Sequence, residues 1–224
     1  MPRPTQAFID LSALAHNLGV VRQYVPCSRI MAVVKADAYG HGLLHTASAL
    51  KDVDGFALLE LDAAISLRDA GYQQPILLLE GFFSTEELAL FEQYRLSAVI
   101  HHSEQIAMLS DSKHHNLDLF LKINTGMNRL GLAPEQFPQI MKALTDHPGI
   151  DSITLMTHFA SADDPLEEDE VFQQLQYFEA ITQNHKYPHS LANSAAIIRY
   201  PVTHADWVRP GIMLYGASPF ADKT

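Results

Sequence analysis

The stretch Ile30-Met-Ala-Val-Val-Lys35-Ala-Asp-Ala-Tyr39-Gly-His-Gly42 sets one lysine just after a short apolar run and follows it with a glycine-flanked turn. Ile30 to Val34 has the apolar, largely β-branched composition of a strand buried on both faces of a parallel sheet. A lysine emerging at the carboxyl end of such a strand stands where a barrel of parallel strands presents its functional groups. Two readings of Lys35 remain open from this segment alone. It is either an amine nucleophile that forms a Schiff base with a carbonyl compound, or a strand-terminal lysine reaching solvent.

Outward from this stretch, short apolar runs alternate with segments of helical periodicity, the pattern of a parallel sheet wound with helices. Eight runs read as strands, near residues 30–35, 55–59, 76–79, 98–100, 117–123, 153–156, 189–192 and 207–208. Eight is the strand number of a (β/α)8 TIM-type barrel, so the expected fold is α/β, one such barrel as a single domain over residues 1–224. Helix starts are marked by Asp10 before Leu11, by Ser84 with Glu87 three residues on, and by Asp164 before Pro165 with Glu167. The acidic run Asp163 to Glu170 belongs with them, because carboxylates at a helix start complement its dipole and can face water. No repeat, low-complexity tract or linker interrupts the pattern.

A chain of 224 residues accommodates one barrel and leaves no room for a second domain beside it. Hydrophobic residues at 47% and charged residues at 18% are the values of a globular protein rather than a disordered one. Apolar runs such as Pro75 to Leu79 are far shorter than the roughly 20 residues that cross a bilayer. Met1 to Asp10 has no apolar secretion segment, so a cytoplasmic location is expected. The single cysteine, Cys27, agrees with a reducing compartment. A formal net charge of −11 argues against nucleic acid and anionic membranes as partners, and an anionic small ligand would need a local cationic pocket. Among twelve histidines, the pairs His101-His102 and His114-His115 invite a metal reading. Neither has the spaced carboxylate or cysteine that completes a ligand set, so both pairs are expected as surface or loop residues and no metal is expected.

Val33-Val-Lys-Ala-Asp-Ala-Tyr-Gly-His-Gly42 resembles the cofactor-lysine signature of bacterial alanine racemases, pyridoxal phosphate enzymes built on a (β/α)8 barrel. Later segments match the same family in the same order. They are Leu121-Lys-Ile-Asn-Thr-Gly-Met-Asn-Arg-Leu-Gly131, Met156-Thr-His-Phe-Ala160, Ala192-Asn-Ser-Ala195, and Trp207-Val-Arg-Pro-Gly-Ile212 through Tyr215-Gly216. The likeness covers nearly the whole chain. It implies interconversion of L-alanine and D-alanine, serving peptidoglycan synthesis or catabolism, by a homodimer in the full-length family.

By the same resemblance, Lys35 holds pyridoxal phosphate covalently and, once displaced by the substrate amine, becomes the base for the α-proton of the D-enantiomer. Tyr39 matches a tyrosine that hydrogen-bonds the cofactor phosphate. Asn193, Ser194, Gly211 and Ile212 match the rest of the phosphate cup, with Gly211 and Ile212 supplying backbone N–H groups and Asn193-Ser194 opening a short helical turn. Arg209 points at the pyridine nitrogen; a guanidinium keeps its proton, which limits how far charge flows into the ring. His158 stacks on the ring and hydrogen-bonds Arg209, while Leu79 touches the cofactor's apolar side. Arg129 contacts the cofactor's phenolic oxygen and the substrate carboxylate, for which its fork is well shaped. Lys122 matches a lysine that many family members carbamylate, which turns a cation that would repel Arg129 into an anion that holds it.

Family members continue past Tyr-Gly-Ala-Ser-Pro into a C-terminal β domain, whereas this sequence ends at Pro219-Phe-Ala-Asp-Lys-Thr224. The expectation is therefore a barrel lacking that domain, which in relatives supplies a tyrosine as second base, a phosphate contact and much of the dimer interface. Neither Tyr215 nor another tyrosine matches that base, so weak activity is expected, and Gln6 to Ile9, which pairs with that domain in relatives, is expected as a loose strand. Two other readings compete. One is a stand-alone carrier of pyridoxal phosphate with the same barrel. The other is a decarboxylase of the same fold type, which places a glutamate at the pyridine nitrogen. Val-Arg-Pro-Gly-Ile and Asn-Thr-Gly-Met-Asn-Arg-Leu-Gly favour the racemase over the first, and Arg209 speaks against the second.

Overall fold

The computed structural model describes residues 6–110, 113 and 116–221. The apolar runs form eight parallel strands: β1 (Arg29–Val33), β2 (Gly55–Leu58), β3 (Ile76–Leu78), β4 (Ser97–Ile100), β5 (Leu117–Lys122), β6 (Ile150–Met156), β7 (His189–Ser190) and β8 (Trp207–Val208). They close into a barrel in sequence order. Closure is made by β8 against β1, with Trp207 opposite Arg29 and Val208 opposite Ile30.

Side chains alternate across each strand, and this parity divides the core in two. Met31, Val33, Ala57, Leu77, Val99, Phe120, Met156 and Trp207 fill the barrel interior. Ile30, Ala32, Phe56, Leu58, Ile76, Leu78, Ala98, Ile100, Leu119, Leu121, Ile153 and Leu155 face the helices. Lys122 has the parity of Phe120 and ends β5, so the fold aims it into the barrel mouth.

The helices are Leu11–Tyr24, Leu43–Ala49, Leu61–Asp69, Leu88–Gln93, Ser103–Ser110, Phe137–Thr145, Glu168–Thr182 and Ser194–Arg199. Leu11–Tyr24 is capped by Asp10, whose Oδ1 accepts from the N–H groups of Ser12 and Ala13, and it buries Leu14, Leu18 and Val21 along one stripe. Asp164 caps the turn Pro165–Glu167, and Glu168, Asp169 and Glu170 occupy the first turn of the following helix, as the acidic run suggested.

Three expectations need correction. The helix expected from Ser84 begins at Leu88, because the Glu87 carboxylate accepts from the N–H of Phe83 and closes a turn there instead. The strand expected to reach Lys35 ends at Val33: the N–H of Val34 still donates to the Ala57 carbonyl of β2, but its ψ of 25° turns the chain out of the sheet before Lys35. β7 stops at Ser190, two residues short of Ala192. His101 and His102 lie on the loop after β4, as expected, with His101 half-buried and its Nε2 3.1 Å from the Glu80 carbonyl oxygen; His114 and His115 lie outside the described residues. Residues 6–9 form no strand, and Phe8 is 89% exposed. No group of three or more histidine, cysteine, aspartate and glutamate side chains is placed to hold a metal among the described residues, and no helix there is long and apolar enough to cross a membrane.

Candidate active site

Lys35 leads into a turn of unusual hand. Ala36, Asp37, Ala38 and Tyr39 have φ of 52°, 50°, 54° and 55°, so four successive non-glycine residues wind left-handed. Each such residue costs about 1–2 kcal/mol, and such strain persists only where its surroundings over-determine it. Here the N–H of Ala38 donates to the Val34 carbonyl, those of Gly40 and His41 to Ala36 and Ala38, and that of Gly42 to Asp37, all at 3.0 Å. Asp37 Oδ1 also accepts from the N–H of Leu43 at 2.7 Å, tying the turn to the next helix. The sequence flagged only the two glycines at its end.

Beyond the carboxyl ends of the strands lies a cavity of about 620 Å³, lined by residues from nearly every strand exit. All eleven residues singled out in the sequence line it: Lys35 and Tyr39 after β1, Leu79 after β3, Lys122 and Arg129 from β5 and its loop, His158 after β6, Asn193 and Ser194 after β7, and Arg209, Gly211 and Ile212 after β8. Glu80 and Asp163 also line it. Four cations against two carboxylates make the cavity a positive site in a chain of net charge −11.

Arg209 is buried, 4% exposed, at the centre of a fixed hydrogen-bond set. Its Nη1 donates to Ser190 Oγ at 2.6 Å, and its Nη2 donates to the carbonyls of Thr157 at 2.8 Å and Leu191 at 3.2 Å. Nη2 also lies 3.3 Å from His158 Nδ1. Burial brings the guanidinium down to about 10, which leaves it charged at neutral pH. These contacts run from the two terminal nitrogens, and Arg209 also lines the cavity. Ser190 and Thr157 were missed in the sequence, although Thr157 directly precedes His158.

Lys122 is also buried, 6% exposed. Burial first, then the guanidiniums of Arg209 and Arg129, bring its ammonium down to about 8, against a small opposing pull from Glu80. Arg129 sits exposed at the rim, on a loop closed by Asn124. Asn124 Oδ1 accepts from the N–H groups of Gly126 and Asn128, and its Nδ2 donates to Asn128 Oδ1 at 2.9 Å. The loop returns tightly at Gly131, φ 131°, where a Cβ would come within 2.7 Å of the Asn124 nitrogen.

The opposite end of the cavity is rich in donors. Asn193 Oδ1 accepts from the N–H of Ala196 and caps Ser194–Arg199, whose first N–H groups have no partner within the helix. A Cβ at Gly211 would meet the Tyr39 hydroxyl at 2.6 Å, so any larger residue there displaces that phenol. Its own N–H, expected to face the ligand, instead donates to Ser194 Oγ at 2.8 Å, with Met213 N–H on the same oxygen at 3.4 Å. Both lone pairs of that hydroxyl are thereby occupied, so its hydrogen is left to donate into the cavity.

Comparison with known proteins agrees with this geometry. Residues 9–219 match the family model described as alanine racemase, N-terminal domain. The chain is 59% identical over its whole length to an alanine racemase of Nitrosospira multiformis and 61% identical to one of Nitrosomonas europaea, in each case spanning 63% of the relative's length. Among solved structures, it is similar to the biosynthetic alanine racemase of Pseudomonas aeruginosa, with a TM-score of 0.92 and 41% identity over 96% of this chain and 61% of that one. It is also similar to the alanine racemase of Acinetobacter baumannii, with a TM-score of 0.90 and 40% identity over 96% and 64%.

Proposed function

The chain belongs to the alanine racemase N-terminal domain family, whose members depend on pyridoxal phosphate, and from that premise we propose that it is the cofactor-bearing barrel of an enzyme that interconverts L-alanine and D-alanine. One observation carries the reading: Lys35, buried Arg209 and a donor-rich cup meet in a single cavity. The residues fit the cofactor. A phosphate dianion finds the Ser194 hydroxyl, the Tyr39 phenol and the N–H groups of Ile212 and the Ser194 turn. A ring nitrogen acceptor would find the Arg209 guanidinium.

When bound, pyridoxal phosphate supplies an electron sink for the charge left at Cα on deprotonation. Lys35 anchors it and, when released, moves a proton at Cα on the face it occupies. Arg209 donates to the ring nitrogen and keeps its proton, which holds back charge flow and favours return of the proton to Cα. His158 and Leu79 pack on the ring. Arg129 grips the substrate carboxylate, and carbamylation of Lys122 replaces a repelling cation beside it with an anion. A homodimer in the cytoplasm, feeding peptidoglycan synthesis or alanine breakdown, completes the proposal.

Borohydride reduction of the protein with pyridoxal phosphate, followed by peptide mass mapping, tests the central step. The pyridoxyl group is expected on Lys35 and is lost in Lys35→Ala; its appearance on Lys51 or Lys122 in the unaltered protein would sink the assignment.

A further inference from the structure

We propose that Tyr215 is a positioning residue that clasps the left-handed turn Ala36–Tyr39, so that the Lys35 amine and the Tyr39 phenol face one cavity. The inference rests on the reading of that cavity as the cofactor site; Tyr215 itself is outside the cavity lining and reaches it through Val33 and Tyr39. The hydrogen bonds of the turn itself run to its own residues, to Val34 and to Leu43, and none reaches across to the last strands of the barrel. Tyr215 makes that link. Its hydroxyl donates to the carbonyl of Val33, the last residue of β1, at 3.0 Å. Its ring packs on Tyr39 at 4.6 Å between centroids and on His41 at 4.9 Å.

Tyr39 is thus held from two sides, by the ring of Tyr215 and by the bare backbone of Gly211. Tyr215 is itself anchored. It ends the 3-10 turn Ile212–Tyr215, in which Leu214 is fully buried and its carbonyl accepts from Asn17 Nδ2 at 2.9 Å. Burial and the nearby Tyr39 push the phenol of Tyr215 up, so it remains a donor throughout the range in which the protein would work.

The test is amide hydrogen exchange on the protein without added cofactor, comparing the wild type with Tyr215→Phe, which keeps the ring, and Tyr215→Leu, which loses both ring and hydroxyl. In Tyr215→Phe, the amides of Ala38, Gly40, His41 and Gly42 should exchange about fivefold faster, the value of one hydrogen bond, while those of the β5–β6 ladder stay unchanged. Tyr215→Leu should exceed that at the same four amides. With limiting pyridoxal phosphate, the fraction of Lys35 trapped by borohydride should fall in the same order. Unchanged exchange at the four amides in Tyr215→Phe, or a rise spread evenly over the barrel, would overturn the clasp. If wild-type Lys35 takes up no cofactor, the reading of the cavity fails, while the exchange data still judge the clasp by themselves.

Discussion

Nη2 of Arg209 stands 3.3 Å from Nδ1 of His158. A guanidinium can only donate, so Nδ1 must accept and the imidazole must be neutral, with its proton on Nε2. Burial first, then the charges of Arg209, Lys122, Arg129 and Lys35, push the histidine well below its ordinary 6.5. Nitrogen-15 spectra should therefore show the neutral Nε2–H form in the folded protein at pH values where free histidine is already charged. The sign for stability follows: the unfolded chain takes up this proton as pH falls through 6.5 and the folded one does not, so stability is lost below 6.5. His158→Gln should flatten that loss in urea unfolding; an unchanged slope would place the effect on another group.

Lys122 gives the opposite side of the same linkage. Its folded value of about 8 lies below the ordinary 10.5, so the unfolded chain holds the extra proton between these limits and stability rises with pH across them. Below pH 8 the buried ammonium costs roughly 3 kcal/mol by this shift, falling to about half by pH 9.5. Lys122→Met, which keeps the packing, should stabilise the cofactor-free protein, prepared without carbon dioxide so that Lys122 is uncarbamylated, by up to that amount at pH 7, with a smaller gain at pH 9.5. Urea unfolding at the two pH values measures it, and a gain independent of pH would show that charge is not the cause.

Gly211→Ala addresses the donor-rich cup. Circular dichroism first establishes that the barrel of Gly211→Ala folds. The new Cβ would lie 2.6 Å from the Tyr39 hydroxyl and force that phenol aside. Losing one charge-assisted hydrogen bond should weaken pyridoxal phosphate, and inorganic phosphate competing with it, by roughly tenfold or more. Equal affinity in a folded variant, measured by fluorescence titration, would remove Tyr39 from the cup.

The eight strands were legible in the sequence because parallel strands buried on both faces read as short apolar runs between helical segments. The exits of the strands were not. Lys35 stands two residues beyond β1, and the left-handed turn after it is built from alanine, aspartate and tyrosine, whose identities do not announce a positive φ. Only the closing pair Gly40 and Gly42 could signal it. The partners of Arg209 were hidden for another reason: Ser190 and the carbonyls of Thr157 and Leu191 are brought together by barrel closure, and no local spacing relates them to residue 209. Gly211 was read as a backbone donor, but its N–H is taken by the Ser194 hydroxyl, and the atom that a Cβ there would meet is the Tyr39 hydroxyl.

Residues 1–224 expressed by themselves should racemise alanine poorly even with cofactor bound. Racemisation needs a proton-moving group on each face of Cα. Among the described residues, the amines lining the cavity are Lys35 and Lys122, and Lys122 is sunk into the barrel mouth between two guanidiniums. Tyr39 is the tyrosine of that lining, and its hydroxyl lies against Gly211. A missing general acid-base group typically costs about 10²–10⁴-fold. The rate, followed by circular dichroism of alanine, should therefore fall at least that far below a longer chain matching the full length of the relatives, while cofactor uptake on Lys35 persists. Full activity from residues 1–224 would place the second base within them and would require a different assignment for Tyr39 or Lys122.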